Sequence, residues 1–304
     1  MGIRISWIEL LAVVAAASCA SYAAAADEPA VGADWVQLTW DGHYKQRPAW
    51  SPNGKHLLYA VHEGSRIRLA TVARGAREPR RLTDSPLPQY DGTFSADGER
   101  IIFCHVKQSG TQGDVELFEM PFSGGEPKLW KSGGKLSHEE APAWSPDGKR
   151  VAYTSTVNDN QELFVANADG SDVVRVTNDP ALDAHPAWSP DSAWLVFATA
   201  RYGDLEIARI RPDGTGYERL THSQGLDDYP CWSPDGKTIA FSSNRTGDFD
   251  IWLMEADGSQ PRNATQRPSL ENFPCWSPKG ELTFVSNASE EFEIYLLPAA
   301  RGAE

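Results

Sequence analysis

Cysteine is scarce in this 304-residue chain, with four in all and no two of them in a Cys-x-x-Cys pair. Such a count is too low and too scattered for a disulfide framework. His-Glu-x-x-His and Gly-x-Ser-x-Gly are also absent, so the usual marks of a zinc hydrolase and of a nucleophile-elbow hydrolase are missing. Basic residues are outnumbered, 28 Lys and Arg against 42 Asp and Glu, for a formal charge of −14. That balance repels nucleic acid and anionic membranes and tolerates basic partners. No apolar run is long enough to span a bilayer, because the stretch from Leu10 to Ala17 is too short.

That stretch has another use. Arg4, the apolar run and the small residues Ala24, Ala25 and Ala26 before Asp27 read as a secretory signal over residues 1–26. Cys19 leaves lipid attachment open, but Ala16 is a poor residue three places before it, and simple cleavage is the preferred reading. Residues 27–33 form a short linker, and a single folded unit is expected over 34–304, located in the periplasm or secreted.

What the chain has in abundance is repetition. The phrase His185-Pro186-Ala187-Trp188-Ser189-Pro190-Asp191 returns in six related forms, whose aromatic markers are Trp50, Phe94, Trp144, Trp188, Trp232 and Trp276. Their spacings are 44, 50, 44, 44 and 44 residues, which is the signature of stacked supersecondary units. Each unit reads as four strands. In the fourth, these are Pro186 to Ser189, Ala193 to Thr199, Leu205 to Ile210 and Tyr217 to Thr221, with turn residues between them. The six additional residues of unit two fall in the loop 107–113 and near Ser132, Gly133 and Gly134.

Four strands per repeat of about 44 residues make a propeller blade, so the expected fold is an all-β, six-bladed β-propeller. Phase indicates how the ring closes. A threonine stands nine residues before the next opening position at Thr83, Thr177, Thr221 and Thr265, and Thr39 keeps that distance although no blade precedes it. The sixth threonine would fall beyond Glu304, so the N-terminal segment 34–39 is expected to supply the last blade's fourth strand.

The Pro-Ala-Trp-Ser-Pro-Asp phrase, together with Ser243-Asn244-Arg245-Thr246-Gly247-Asp248 and Asp250-Ile251-Trp252, resembles the TolB-type, WD-like propeller repeat over residues 34 to 298. The resemblance implies the fold specifically and function only weakly, since the same repeat occurs in TolB proteins, in prolyl-oligopeptidase-type peptidases and in many exported proteins. It implies a periplasmic scaffold that binds an envelope protein or peptide. The separate N-terminal α/β domain of TolB has no counterpart, because the propeller starts almost directly after the signal. A peptidase of this kind would need an attached hydrolase domain, for which no residues remain.

Function is expected where the blades differ, because what all six share serves packing. The slot before the opening proline holds Arg47, Asp91, Ala141, His185, Tyr229 and Phe273. Two places earlier stand Lys45, Gln89, Glu139, Asp183, Asp227 and Glu271, four of them consecutive carboxylates. Both sets are expected at the channel mouth, where Arg47, His185, Tyr229 and Phe273 would anchor a ligand while Glu139, Asp183, Asp227 and Glu271 select positive charge. Glu116, Glu162, Glu206, Asp250 and Glu293, repeated at one position, read as structural. No catalytic residue, metal site or cofactor is assigned, and a monomer is expected. The alternative is a propeller lyase or hydrolase acting on a carbohydrate or small metabolite, with His43, His138 or His185 as base or ligand.

Overall fold

A computed structural model describes residues 35–107, 114–131 and 137–298. The signal, the linker, Cys19 and both insertion sites of blade two lie outside them. Within them, twenty-four strands form six four-stranded antiparallel sheets, and no helix is long and apolar enough to cross a membrane.

Blade four shows how the repeat builds a blade. Its strands are Asp183–Trp188, Leu195–Thr199, Glu206–Ile210 and Glu218–Arg219. Every residue of Leu195–Thr199 is buried, as expected of a strand flanked in its own sheet and covered on both faces. The Ser-Pro-Asp turn is held by side chains: Ser189 Oγ donates to Asp191 Oδ1 at 2.5 Å, and Asp191 Oδ1 accepts the Ala193 amide at 3.0 Å. The residue after this position, which is aspartate, asparagine or, in blade six, Lys279, has positive φ in every blade that keeps the Ser-Pro turn. It is Gly148, at φ 72, in blade three and Ser192, at φ 58, in blade four, where the serine Oγ accepts the Asp147 amide at 3.2 Å.

The first strand starts three residues earlier than the sequence suggests. Its pairing with the second strand slips between Ala184 and Ala187, and the residue at the bulge, His185, has φ 52. All six slot residues share this conformation, with φ between 48 and 56 and none of them glycine. Left-handed backbone costs an L-residue about 1–2 kcal/mol, so the bulge is a built feature of every blade. It ends the proline-free part of the strand and turns the slot side chain toward the axis.

The ring closes through the N-terminus. Val36–Gln37 pairs antiparallel with Glu293–Leu297, placing Val36 opposite Leu296 and Gln37 opposite Tyr295. Thr39 does for blade six what its counterparts do elsewhere: its hydroxyl accepts the Ile294 amide at 2.9 Å, as Thr177 accepts Leu163 at 2.9 Å and Thr221 accepts Ile207 at 2.8 Å. The marker aromatics fill the seams between blades. Trp50 packs with Phe273, Val285 and Ile294 of blade six, and Trp188 with Ala152, Leu163 and Val165 of blade three. Cys104, Cys231 and Cys275 are free thiols; Cys104 is buried, while Cys231 and Cys275 are half-buried on the channel wall.

Candidate functional site

Because the bulges aim at the axis, the slot residues converge. Arg47, Asp91, His185, Tyr229 and Phe273 line one axial cavity of about 150 Å³, whose remaining wall is made of the following prolines and small residues such as Ala187, Cys231 and Cys275. The rings of His185 and Tyr229 stack at 4.1 Å between centroids, and Tyr229 meets Phe273 edge-on at 4.5 Å. Arg47 reaches across from blade one to place its guanidinium carbon 5.3 Å from the Tyr229 ring, with Nε 3.7 Å from Asp91 Oδ1. Asp228, one place before the slot, holds His185 Nδ1 at 2.6 Å and also accepts the Tyr229 amide at 2.7 Å. On the other side Tyr90 donates to Glu140 at 2.7 Å. Burial is the largest influence on both, raising the Tyr90 hydroxyl well above its ordinary pKa and the Glu140 carboxyl above its own.

The eight sequence-derived ligand residues therefore divide. Arg47, His185, Tyr229 and Phe273 meet at the axis, whereas Glu139, Asp183, Asp227 and Glu271 are 0–1% exposed inside the blades and do not line the cavity. Strand alternation explains this, since residues two apart share a face only while pairing is regular, and the bulge begins between these positions. Their partners are internal. Asp183 pairs with Arg201 at 2.7 Å and Asp227 with Arg245 at 2.8 Å, so two loop arginines neutralise buried acids. Glu139 accepts Ser155 Oγ at 2.7 Å. The repeated third-strand carboxylates are structural as expected. Glu206, for example, takes Thr221 Oγ1 at 2.5 Å and Arg219 at 2.7 Å.

Glu271 has no such arginine, because Ala288 occupies the corresponding loop region. Its Oε1 accepts Ser269 at 2.5 Å and Ser286 at 2.8 Å, and Oε2 has no hydrogen-bond partner among the described residues. Burial pushes its pKa up to about 7, opposed by the two serine hydroxyls and assisted by the charge of Asp250. A carboxyl whose folded pKa is raised contributes stability below the unfolded pKa, near 4.5, and loses that contribution as pH rises to about 7. The loss is on the order of 3 kcal/mol. Glu271→Gln should therefore match the parent in urea midpoint below pH 4.5 and exceed it above pH 7. A midpoint difference that stays constant across that range would contradict the assignment.

With the geometry in place, comparison with known proteins becomes informative. Residues 131–226 match the family model described as the TolB β-propeller domain. A solved structure assigned as TolB from Agrobacterium tumefaciens superposes with a TM-score of 0.67 at 25% identity, over 84% of this chain and 91% of that one. The chain is a TolB-like β-propeller. The Tol-Pal system protein TolB of Thioalkalivibrio sulfidiphilus is 30% identical over 131 residues, or 41% of this chain and 29% of that protein. This TolB-like propeller thus spans less than half the length of the curated relatives it matches. An oligogalacturonate lyase from Vibrio parahaemolyticus shares the fold alone, with a TM-score of 0.61 at 12% identity over 90% of this chain and 96% of that one.

Sequence reasoning missed Asp228 and Glu140 as parts of the TolB-like propeller's axial site. The signal was present. The position before the slot reads Gln46, Tyr90, Glu140, Ala184, Asp228 and Asn272, as varied as the slot itself. His62, near the end of the second strand of blade one, is packed against Tyr44, and burial drives its pKa down to about 4.

Proposed function

We propose that this propeller is an exported, monomeric scaffold, periplasmic or secreted, that holds an envelope protein or peptide partner at its axial site. The observation that carries the reading is the convergence of Arg47, His185, Tyr229 and Phe273, the residues by which the repeats differ, in a single cavity. Packing alone would ask each blade for the same side chain. Instead the axis holds Tyr229 in contact with the rings of His185 and Phe273 and with Arg47, and tyrosine and arginine are among the residue types that dominate interface energies. The charge of −14 favours approach of a basic partner and makes association salt-sensitive.

The test is capture from an envelope fraction with parent protein and with Tyr229→Ala, followed by affinity measurement for the recovered partner at low and high salt. Tyr229→Ala should weaken binding at least tenfold at both salt concentrations, the scale of a hot-spot aromatic at about 2 kcal/mol. Unchanged affinity in a variant that melts cooperatively would place the interface on the outer blade surfaces. One observation favours the enzymatic alternative: the His185–Asp228 pair, at 2.6 Å, is the arrangement that orients an imidazole for proton transfer. Stoichiometric metal in freshly purified protein, together with lyase or hydrolase turnover that His185→Gln abolishes, would establish that reading in place of the scaffold.

A further inference from the structure

Among the described residues Arg47 is the one lysine or arginine that lines the axial cavity, and its environment is that of a bound guest. Its guanidinium lies over the Tyr229 ring, flanked by Asp91, while Phe273 and His185 brace that ring from either side. Aromatic faces beside carboxylates are how proteins recognise cations. Burial works against the charge of Arg47, yet Asp91, Tyr229 and Asp228 together outweigh it and hold the pKa above the ordinary value. The field at this point on the axis therefore favours a positive charge.

The same guanidinium is loosely tied. Arg201 and Arg245, with side chains 17% and 13% exposed, are bonded to buried carboxylates at 2.7 and 2.8 Å. Arg47, at 20%, makes no hydrogen bond among the described residues, and its sole ion pair is the 3.7 Å contact with Asp91. Its charge is thus matched by the site while its donors are not clamped. Such a side chain can leave without stranding a short hydrogen-bonded partner.

We propose that the axis is a receptor for a cationic side chain, guanidinium or ammonium, and that Arg47 is its resident occupant in the free protein, displaced when a partner presents a basic residue of its own. This deepens the scaffold reading and rests on it for the identity of the incoming group. The receptor itself can be tested without any partner.

Residue 47 has φ 48, so glycine fits its backbone better than arginine does, and Arg47→Gly should empty the site without disturbing the bulge. Melting temperatures would be measured for parent and variant in methylguanidinium chloride, in methylammonium chloride and in equal concentrations of KCl. At a cation concentration tenfold above Kd the folded-to-unfolded ratio rises about elevenfold, roughly 3–5 °C for a chain of this size. Arg47→Gly should show that rise with an organic cation over KCl, the parent should show less than about a third of it, and Asp91→Asn added to the variant should abolish it. If Arg47→Gly does not fold, Arg47→Asn, whose side chain also tolerates positive φ, serves in its place. Shifts identical to those in KCl would overturn the proposal. Rescue by small cations with no partner recovered from the envelope would leave the receptor standing and remove the scaffold reading.

Discussion

Replacing Glu293 with alanine should lower the stability of the propeller by about 3–5 kcal/mol, because Thr39, Gly42 and Lys45 together lose a buried charged acceptor and Lys45 keeps only Asp41 as a carboxylate partner. Glu293 lies where the ends of the chain meet. Its carboxylate accepts Thr39 Oγ1 at 2.5 Å, the Gly42 amide at 2.7 Å and Lys45 Nζ at 2.9 Å, and the Lys45 side chain is 0% exposed. Three parts of the closing segment therefore share one group. Blade one is also distinctive in charge. Where blade four has Asp183, Arg201 and Glu206, blade one has Lys45, Glu63 and Arg68, the same three positions with signs inverted. The inversion lets Lys45 face Glu293 across the seam between blades one and six, where every other blade offers an acid or Gln89. Urea unfolding should show the midpoint falling sharply in Glu293→Ala and recovering in part in Lys45→Met/Glu293→Leu, since removing both charges also removes their desolvation cost. A single variant as stable as the parent would show that main-chain pairing of Val36–Gln37 alone closes the ring.

Asp183→Ala and Asp227→Ala should each cost a similar 3–5 kcal/mol, and neither should change partner affinity once allowance is made for the folded fraction. Both carboxylates are 0% exposed, and each loss removes the short ion pair of a mostly buried arginine, leaving Arg201 only its 3.7 Å contact with Asp179 and Arg245 no carboxylate among the described residues. The sequence alone suggested the opposite outcome, a ring of exposed acids whose removal weakens binding at low salt. Thermal melting combined with binding measured well below the transition separates the two. A normal melting temperature with salt-dependent loss of affinity would return these aspartates to the binding face.

These two expectations mark how far the sequence reaches. The 44-residue period specified the number of blades, and the aromatic markers specified the seams. The phase of Thr39 foretold the closing strand, because hydrogen-bond geometry ties that hydroxyl to one amide in the adjoining strand. Variation in the slot before each proline marked Arg47, His185, Tyr229 and Phe273 as different in role from the repeated residues, and they do meet.

Whatever depends on facing was decided only by tertiary structure. A strand alternates its faces with period two, so the sequence placed residues 183 and 185 on the same side. The bulge between them sends one into the blade and the other to the axis, and its centre, a left-handed residue followed by proline or, in blade two, by Gly92, leaves no compositional mark when Arg, Asp, Ala, His, Tyr and Phe all occupy it. The pairing of Asp183 with Arg201 and the pull of burial on Glu271 arise likewise from distances across strands and seams. Local pattern determines which residues repeat. Only the closed ring determines which side chains share a dielectric environment, and that environment sets whether a carboxylate binds a partner or holds a blade together.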